Sequence, residues 1–328
     1  MNDVTENKIC LACGSVELVP SLNLGKQPLA NNYIIEPSEQ EQYPLAVNVC
    51  SNCCHLQLSH IVDPKTIYSN YLYVSGTSNT LKEYSNWFAG YVSECIDIQT
   101  NNILDIGCND GTQLDSFKLH SFNTYGIDPA KNIYPVSSAK HNVICDFFGP
   151  NIVEKIESRF DAITAQNVFA HSPNPLLFLE TVKKLMSPHT LLFIQTSQAD
   201  MVLNNEFDTI YHEHVNFFNI NSMNELVKRA GLNLIDAIKT PIHGNSYVFV
   251  VGFNGRPYNI ENLIRMESKL TDLKTYNHWE KTVQDNMVKL KIAIKGYRAK
   301  GHKIIGYGAA AKGNTLLNYC LLYTSDAA

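Results

Sequence analysis

The 328-residue chain is 45% hydrophobic and 17% charged, an ordinary globular composition that excludes wholesale disorder and can supply two or three domains with cores. Its formal net charge of -5 is carried with basic residues scattered rather than clustered, which excludes the electrostatic footprint of a nucleic-acid binder and leaves a small anionic substrate open. The opening MNDVTENKIC lacks the basic start and apolar core of a signal peptide, and no apolar run approaches membrane-spanning length, so a soluble, cytoplasmic protein with no membrane partner is expected.

In chain order, the front segment holds five of the nine cysteines: Cys10, Cys13, Cys50, Cys53 and Cys54. In a reducing compartment such crowding points to metal rather than disulfides. Cys10 and Cys13 form one C-x2-C pair and Cys50 and Cys53 a second, the spacing that lets two thiolates grip one tetrahedral zinc. The interval between the pairs is wide, so Cys54 or His55 competes for the fourth position. Four thiolates leave no open coordination site, so the expected zinc is structural and staples a small domain, 1–72, whose own core is modest.

From Asn102 onward, short β-rich runs alternate with helix-length amphipathic stretches: NILDIGC, TYGIDP, NVICDFF, FDAITAQN and HTLLFIQTS. This is the rhythm of a doubly wound parallel sheet, an α/β fold. ILDIGCNDGTQL places Asp105, Gly107, Asn109, Asp110 and Gly111 between a buried strand and a helix, where glycines let backbone N–H groups approach a ligand. Asp128 ends the next strand about twenty residues on, where an acid can accept hydrogen bonds from both ribose hydroxyls. Asp146, at the third strand's end, is expected to add an adenine contact. The spacing G-x-N-D-G departs from G-x-G-x-x-G, which argues against NAD.

FDTIYHEHVNFF then packs Tyr211, His212, Glu213 and His214 just after the fifth strand, at the ligand-binding edge of an open sheet. A zinc protease would need histidine at position 216, which is Asn216, so H-E-x-x-H is not formed. Clustered Tyr, Glu and His supply the parts for removing a proton beside a carbonyl: a base, a partner that orients it and a donor for the developing oxyanion. After a helix over Ser222 to Ala230, LNLIDAIKT and SYVFVVGFN are joined by PIHGN, so an antiparallel hairpin is predicted to end the sheet. Five parallel strands plus a hairpin resemble the class I methyltransferase pattern, an analogy of fold, and this central domain is expected over 73–254.

Gly255 to Tyr258 reads as a break, and Ile260 to Arg298 as polar helix. KIIGYGAAAKGNTLLNY then gives a strand, a glycine turn and a helix start, a third α/β unit over 255–319. Residues 320–328, CLLYTSDAA, look like a translated sequencing adapter and are set aside as an artefact, which makes the third unit a truncated one.

Taken together, CLAC and CSNC, NLGKQPLANNY, YLYVSGTSNT, DIGCNDGTQL, NVFAHSPN, FDTIYHEHVNFF and GYGAAAKGNTLLNY resemble the nucleotide-sugar C-methyltransferases, from about Cys10 to Tyr319. The resemblance implies a zinc-binding front domain, a central domain that binds S-adenosylmethionine (SAM) and a C-terminal pseudo-Rossmann domain. These close around a nucleoside-diphosphate 4-keto sugar that is methylated at C3. It implies His214 as base with Glu213 beside it and Tyr211 completing the cluster. His171 is then a histidine near the substrate, Tyr73 an active-site tyrosine with Tyr71 as fallback, and Asn167 a contact to the methionine part of SAM. Gly306, Gly308, Lys312 and Asn314 are implied contacts to the nucleotide, and His243 and Ser246 are implied substrate contacts in the hairpin turn, where Asn245 replaces the family's usual glycine. No catalytic metal and no nucleic-acid partner are expected, and a monomer or homodimer suffices. The rivals are an O- or N-methyltransferase of another small molecule, which needs no enolate, and a non-catalytic zinc-knuckle binding module.

Overall fold

Where apolar and polar residues alternate, the chain forms strands with one wet face. The computed structural model describes residues 4–32, 36, 38–68, 73–197, 199–242, 244–254, 260–306 and 311–320. The front segment contains β1 (Val4–Glu6), β2 (Leu18–Gln27), β3 (Tyr43–Cys50), β4 (Leu56–Leu58), β5 (His60–Val62) and the short α1 (Pro64–Tyr68). Every second residue from Tyr43 to Val49 is buried, the period of a half-buried strand. β2, β3 and β4 pair antiparallel, and β1 pairs with β5.

The predicted central strands all form. The order along the chain is α2 (Asn79–Cys95), β6 (Asn102–Ile106), α3 (Thr112–Leu119), β7 (Asn123–Ile127), α4 (Tyr134–Ser138), β8 (Asn142–Ile144), α5 (Pro150–Val153), β9 (Ala162–Gln166), α6 (Pro175–Leu185), β10 (Leu191–Ser197), β11 (Asn216–Phe217), α7 (Ile220–Arg229), β12 (Asn233–Thr240) and β13 (Ser246–Gly252). One sheet runs β8-β7-β6-β9-β10-β13-β12. Its first five strands are parallel neighbours, and β13 is antiparallel to both β10 and β12. The hairpin is therefore present, with its second strand on the inside. Burial explains this order: all seven residues of β13 are buried, whereas β12 carries Asp236 and Lys239 and suits an edge. Phe88, Val92 and Phe117 of α2 and α3 cover one face of the sheet. Ile152, Leu179 and Leu226 of α5, α6 and α7 cover the other. The chain winds outward from β6 to β8, then returns to place β9 on the other side of β6. That reversal opens a crevice at the carboxyl ends of β6 and β9.

β11 leaves this sheet altogether and pairs with β4, giving a front sheet ordered β11-β4-β3-β2. The third segment supplies α8 (Ile260–Met266), α9 (Leu273–Ala299) and α10 (Ala311–Tyr319). Tyr276, Trp279 and Val283 of α9 share a core with Leu22, Leu45 and Val47 of the front sheet and with Phe217. Of the strand predicted to open the third unit, Lys303 to Gly306 are exposed and join no strand ladder, and 307–310 lie outside the described residues. Gly255 to Tyr258 lie outside the described residues. Among the described residues no helix is long and apolar enough to cross a membrane.

Candidate active site

At the carboxyl end of β6 the chain turns into α3 through Gly107 (φ +76°) and Gly111 (φ +87°), and a Cβ on Gly107 would stand 3.0 Å from Val168. Only glycine fits there without strain. Asp128, at the end of β7, is held through both oxygens: the Asn109 N–H donates to Oδ2 and the Ala130 N–H to Oδ1, each at 2.9 Å. One lone pair on each oxygen stays open. These strand ends face a cavity of about 330 Å³ whose walls include Asp105, Gly107, Asn109, Asp128, Asn167 and His171. Asp105 is fully buried beside it and accepts from the Thr164 hydroxyl at 2.6 Å. Burial, offset in part by that hydrogen bond and aided by the charge of Asp128, pushes its carboxyl up to about 7.

Asp110 and Gly111 stand behind the cavity rather than in its wall. Asp110 accepts the Gly76 N–H at 2.8 Å, Asn109 accepts the Ser75 N–H at 2.9 Å, and Asn109 donates to the Tyr73 carbonyl at 3.0 Å. Tyr73 and Ser75 are thereby docked at the cavity's edge. A Cβ on Gly76 would lie 2.5 Å from Asp110 Oδ2, so that docking needs glycine. Asp146 turns elsewhere. β8 ends at Ile144, and Asp146 meets Lys155 at 2.7 Å, whose hydrogen bond holds its carboxyl below the usual range. Phe147 and Phe148 line the cavity in its stead, a role the sequence reading did not give them.

The Tyr-His-Glu-His segment sits against this cavity through a column of rings. Tyr68 stacks on His171 at 5.5 Å, His171 on His214 at 5.3 Å, and Tyr211 lies 4.1 Å from His214, centroid to centroid. Tyr68 and His171 line the cavity, so His214 stands one ring behind its wall. His214 Nδ1 lies 3.0 Å from the Thr209 carbonyl, and a carbonyl only accepts, so Nδ1 carries a hydrogen; in the neutral ring Nε2 then keeps its lone pair. The Tyr211 hydroxyl donates to that lone pair at 2.8 Å. Glu213 is buried and accepts from Asn31 Nδ2 at 2.6 Å. His212 faces the front sheet, where its Nε2 meets the Tyr43 carbonyl at 3.3 Å and burial pushes its pKa down to about 4. The Val215 N–H donates to the Ala170 carbonyl at 2.9 Å, stitching the segment to the turn that carries His171.

In the front segment the sulfurs of Cys10, Cys13, Cys50 and Cys53 all lie within 4.8 Å of one another. Cys10–Cys53 and Cys13–Cys50 are each 3.6 Å apart. A zinc tetrahedron with bonds of about 2.3 Å sets its sulfurs about 3.8 Å apart, so the donor set fits one zinc and leaves no open position. Cys54 and His55 lie outside the cluster; His55 Nε2 instead meets Asn216 Oδ1 at 3.1 Å.

The other sequence-derived positions gather near α10. Lys312 Nζ lies 2.9 Å from where a Cβ on Gly244 would stand, so the helix reaches the hairpin turn. Asn314 receives hydrogen bonds from Asn318 along the helix, and the Ser246 hydroxyl donates to the Ile242 carbonyl at 3.0 Å within the turn. Gly306 is exposed. None of these four lines the 330 Å³ cavity, while Tyr71, His243 and Gly308 lie outside the described residues.

Residues 82–237 match the methyltransferase-domain family, residues 10–68 a zinc-binding domain family, and residues 241–326 the C-methyltransferase C-terminal domain family. The chain is a SAM-dependent methyltransferase. Of its relatives, the C-methyltransferase NovU of Streptomyces niveus is 26% identical over 326 residues, 95% of this chain and 78% of that protein. A ubiquinone biosynthesis O-methyltransferase of Coxiella burnetii (strain Dugway 5J108-111) is 23% identical over 170 residues, 47% of this chain and 71% of that protein. A SAM-dependent methyltransferase structure from Clostridium acetobutylicum ATCC 824 aligns with a TM-score of 0.42 and 13% identity over 53% of this chain and 92% of that one.

The methyltransferase cavity fits SAM on its own chemistry. Among the described residues no lysine or arginine lines it, and the lining includes two buried carboxyls, so a sulfonium and an ammonium meet no cation and can draw these carboxyls into their ionised form. Asn167 Oδ1, Gln113 Oε1 and Gln195 Nε2 are buried in residues of its wall and find no partner among the described residues. Buried polar atoms left in that state await a ligand.

Proposed function

We propose that this methyltransferase acts on the carbon next to the ketone of a nucleoside-diphosphate 4-keto sugar, at C3. Such a carbon is not nucleophilic until its proton leaves, and the neighbouring ketone makes that possible by holding the charge as an enolate. The site must therefore supply a base and an oxyanion donor together. The observation that carries the reading is the Tyr211–His214 pair, with the Thr209 carbonyl at Nδ1 so that Nε2, beside the Tyr211 hydroxyl, is the nitrogen available to take a proton. When bound, SAM supplies an already activated methyl group.

In this reading His214 takes the C3 proton on Nε2, and the Tyr211 hydroxyl, freed from that lone pair, donates to the C4 oxygen as charge builds. Glu213 stabilises the imidazolium from beside it. His171, on the side of the cavity toward the cluster, and Tyr73, docked at its edge, orient the sugar. Asp105, Asp128 and Asn167 hold the cofactor, and Lys312, brought to Gly244, serves the nucleotide. The likeness to NovU along nearly the whole chain and the C-methyltransferase C-terminal match support carbon rather than oxygen as the acceptor. Mass spectrometry of nucleoside-diphosphate 4-keto sugars incubated with enzyme and SAM tests this directly. A product one methylene heavier, with the added carbon bonded to C3, is expected; methylation found only on oxygen or nitrogen contradicts it.

A further inference from the structure

The front segment, by composition a metal-stapled module, reaches into the proton-transfer cluster with two side chains. The first is Asn31, which donates from Nδ2 to Glu213 Oε1 at 2.6 Å across 182 residues of chain. The second is Tyr68, whose ring stacks on His171 within 7° of parallel at 5.5 Å and whose hydroxyl donates to the Glu213 backbone carbonyl at 3.3 Å. The backbone joins the same two parts: the Leu58 N–H donates to the Val215 carbonyl at 2.9 Å, and β11 adds directly to β4. A module that only stabilised itself would need none of these contacts.

We infer that Asn31 and Tyr68 are positioning residues for methyl transfer, with Asn31 fixing the Glu213 carboxylate and Tyr68 fixing the His171 ring and the Glu213 backbone. This rests on the reading of Glu213, His214 and His171 given above. A carboxyl oxygen that accepts from a neutral amide is held in one direction, and the parallel stack restricts His171 to one plane. Neither residue needs to touch the reacting atoms. Asn31 acts through Glu213, which supports the base, and Tyr68 through His171, which orients the sugar, and a displacement of about 1 Å in such groups costs roughly a hundredfold in rate.

Asn31→Ala and Tyr68→Leu in the full chain test the inference. In each, kcat on the 4-keto sugar is expected to fall roughly ten- to a hundredfold, and in Asn31→Ala, whose side chain does not line the cavity, KM for SAM is expected to stay within about twofold. In a Glu213→Gln background, Asn31→Ala is expected to add little further loss, because its effect passes through that carboxylate. Amide hydrogen exchange over 209–217 is expected to quicken in both variants while 103–112 stays protected. Unchanged exchange over 209–217 overturns the inference whatever the substrate is. Faster exchange with kcat unchanged overturns it too, and so does a full additional loss in the Glu213→Gln background. If the unsubstituted enzyme turns over no 4-keto sugar, the proposed substrate falls and the exchange result alone decides the inference.

Discussion

Asp105 is a buried carboxyl in the wall of the cavity proposed to hold SAM. Unfolded, it ionises near 3.8, whereas in the folded, unliganded protein it keeps its proton up to about 7. The stability it contributes is therefore greatest below the lower value and is lost as pH rises through that window. A bound sulfonium favours the ionised carboxylate, so SAM affinity is expected to rise about tenfold between roughly pH 6 and pH 8. Asp105→Asn is expected to flatten that profile. Calorimetric titration checks both, and a pH-independent affinity in the unsubstituted protein contradicts the assignment. At this scale the sequence was informative wherever the chemistry is local. Gly107, Asn109 and Asp128 lie within about twenty residues of one another around one βα turn, and they meet as expected. Asp146 does not join them, because its strand stops two residues early and Lys155 lies within reach. Asn31, inside the resembling NLGKQPLANNY, and Tyr68 were given no role by the sequence reading, since what they touch lies far along the chain.

At the scale of elements, the least legible piece is β11. Two residues have no periodicity to read, and Asn216 and Phe217 become a strand only because β4 offers an unpaired edge. That pairing makes the front segment part of the site's support. Around it, Asn219 Nδ2 donates to the Cys54 carbonyl at 2.8 Å, Asn221 Nδ2 to the Cys53 carbonyl at 3.1 Å, and Arg229 to the Ala12 carbonyl. The four-cysteine cluster and α7 are thus locked together. Removing zinc with a chelator is expected to lower the melting temperature by roughly 10 °C or more. It is also expected to abolish turnover while SAM still binds the cavity. Differential scanning calorimetry with and without chelator decides this, and an unmoved transition contradicts a structural zinc.

Across the whole molecule, the parallel strands were legible because each is an apolar run closed by a turn. Sheet order was less so: β13 lies between β10 and β12 because burial, not chain order, assigns places in a sheet. The third segment differs most from its sequence reading. Its polar helix forms, but Tyr276 and Trp279 fasten it to the front sheet, and α10 is tied by the Thr315 hydroxyl to the Ile210 carbonyl at 2.9 Å, immediately before Tyr211. Three stretches of chain therefore meet around the segment that carries His214, an arrangement that would exclude water from the proposed enolate. The most direct measurement is proton NMR of a nucleoside-diphosphate 4-keto sugar in deuterated water, with the enzyme and S-adenosylhomocysteine in place of SAM. Loss of the C3 hydrogen signal is predicted with the unsubstituted protein, and a rate at least a hundredfold lower with His214→Ala, whose cofactor affinity stays unchanged. Washout at full speed in His214→Ala, or none with the unsubstituted enzyme on a sugar it methylates, would contradict carbon deprotonation by His214.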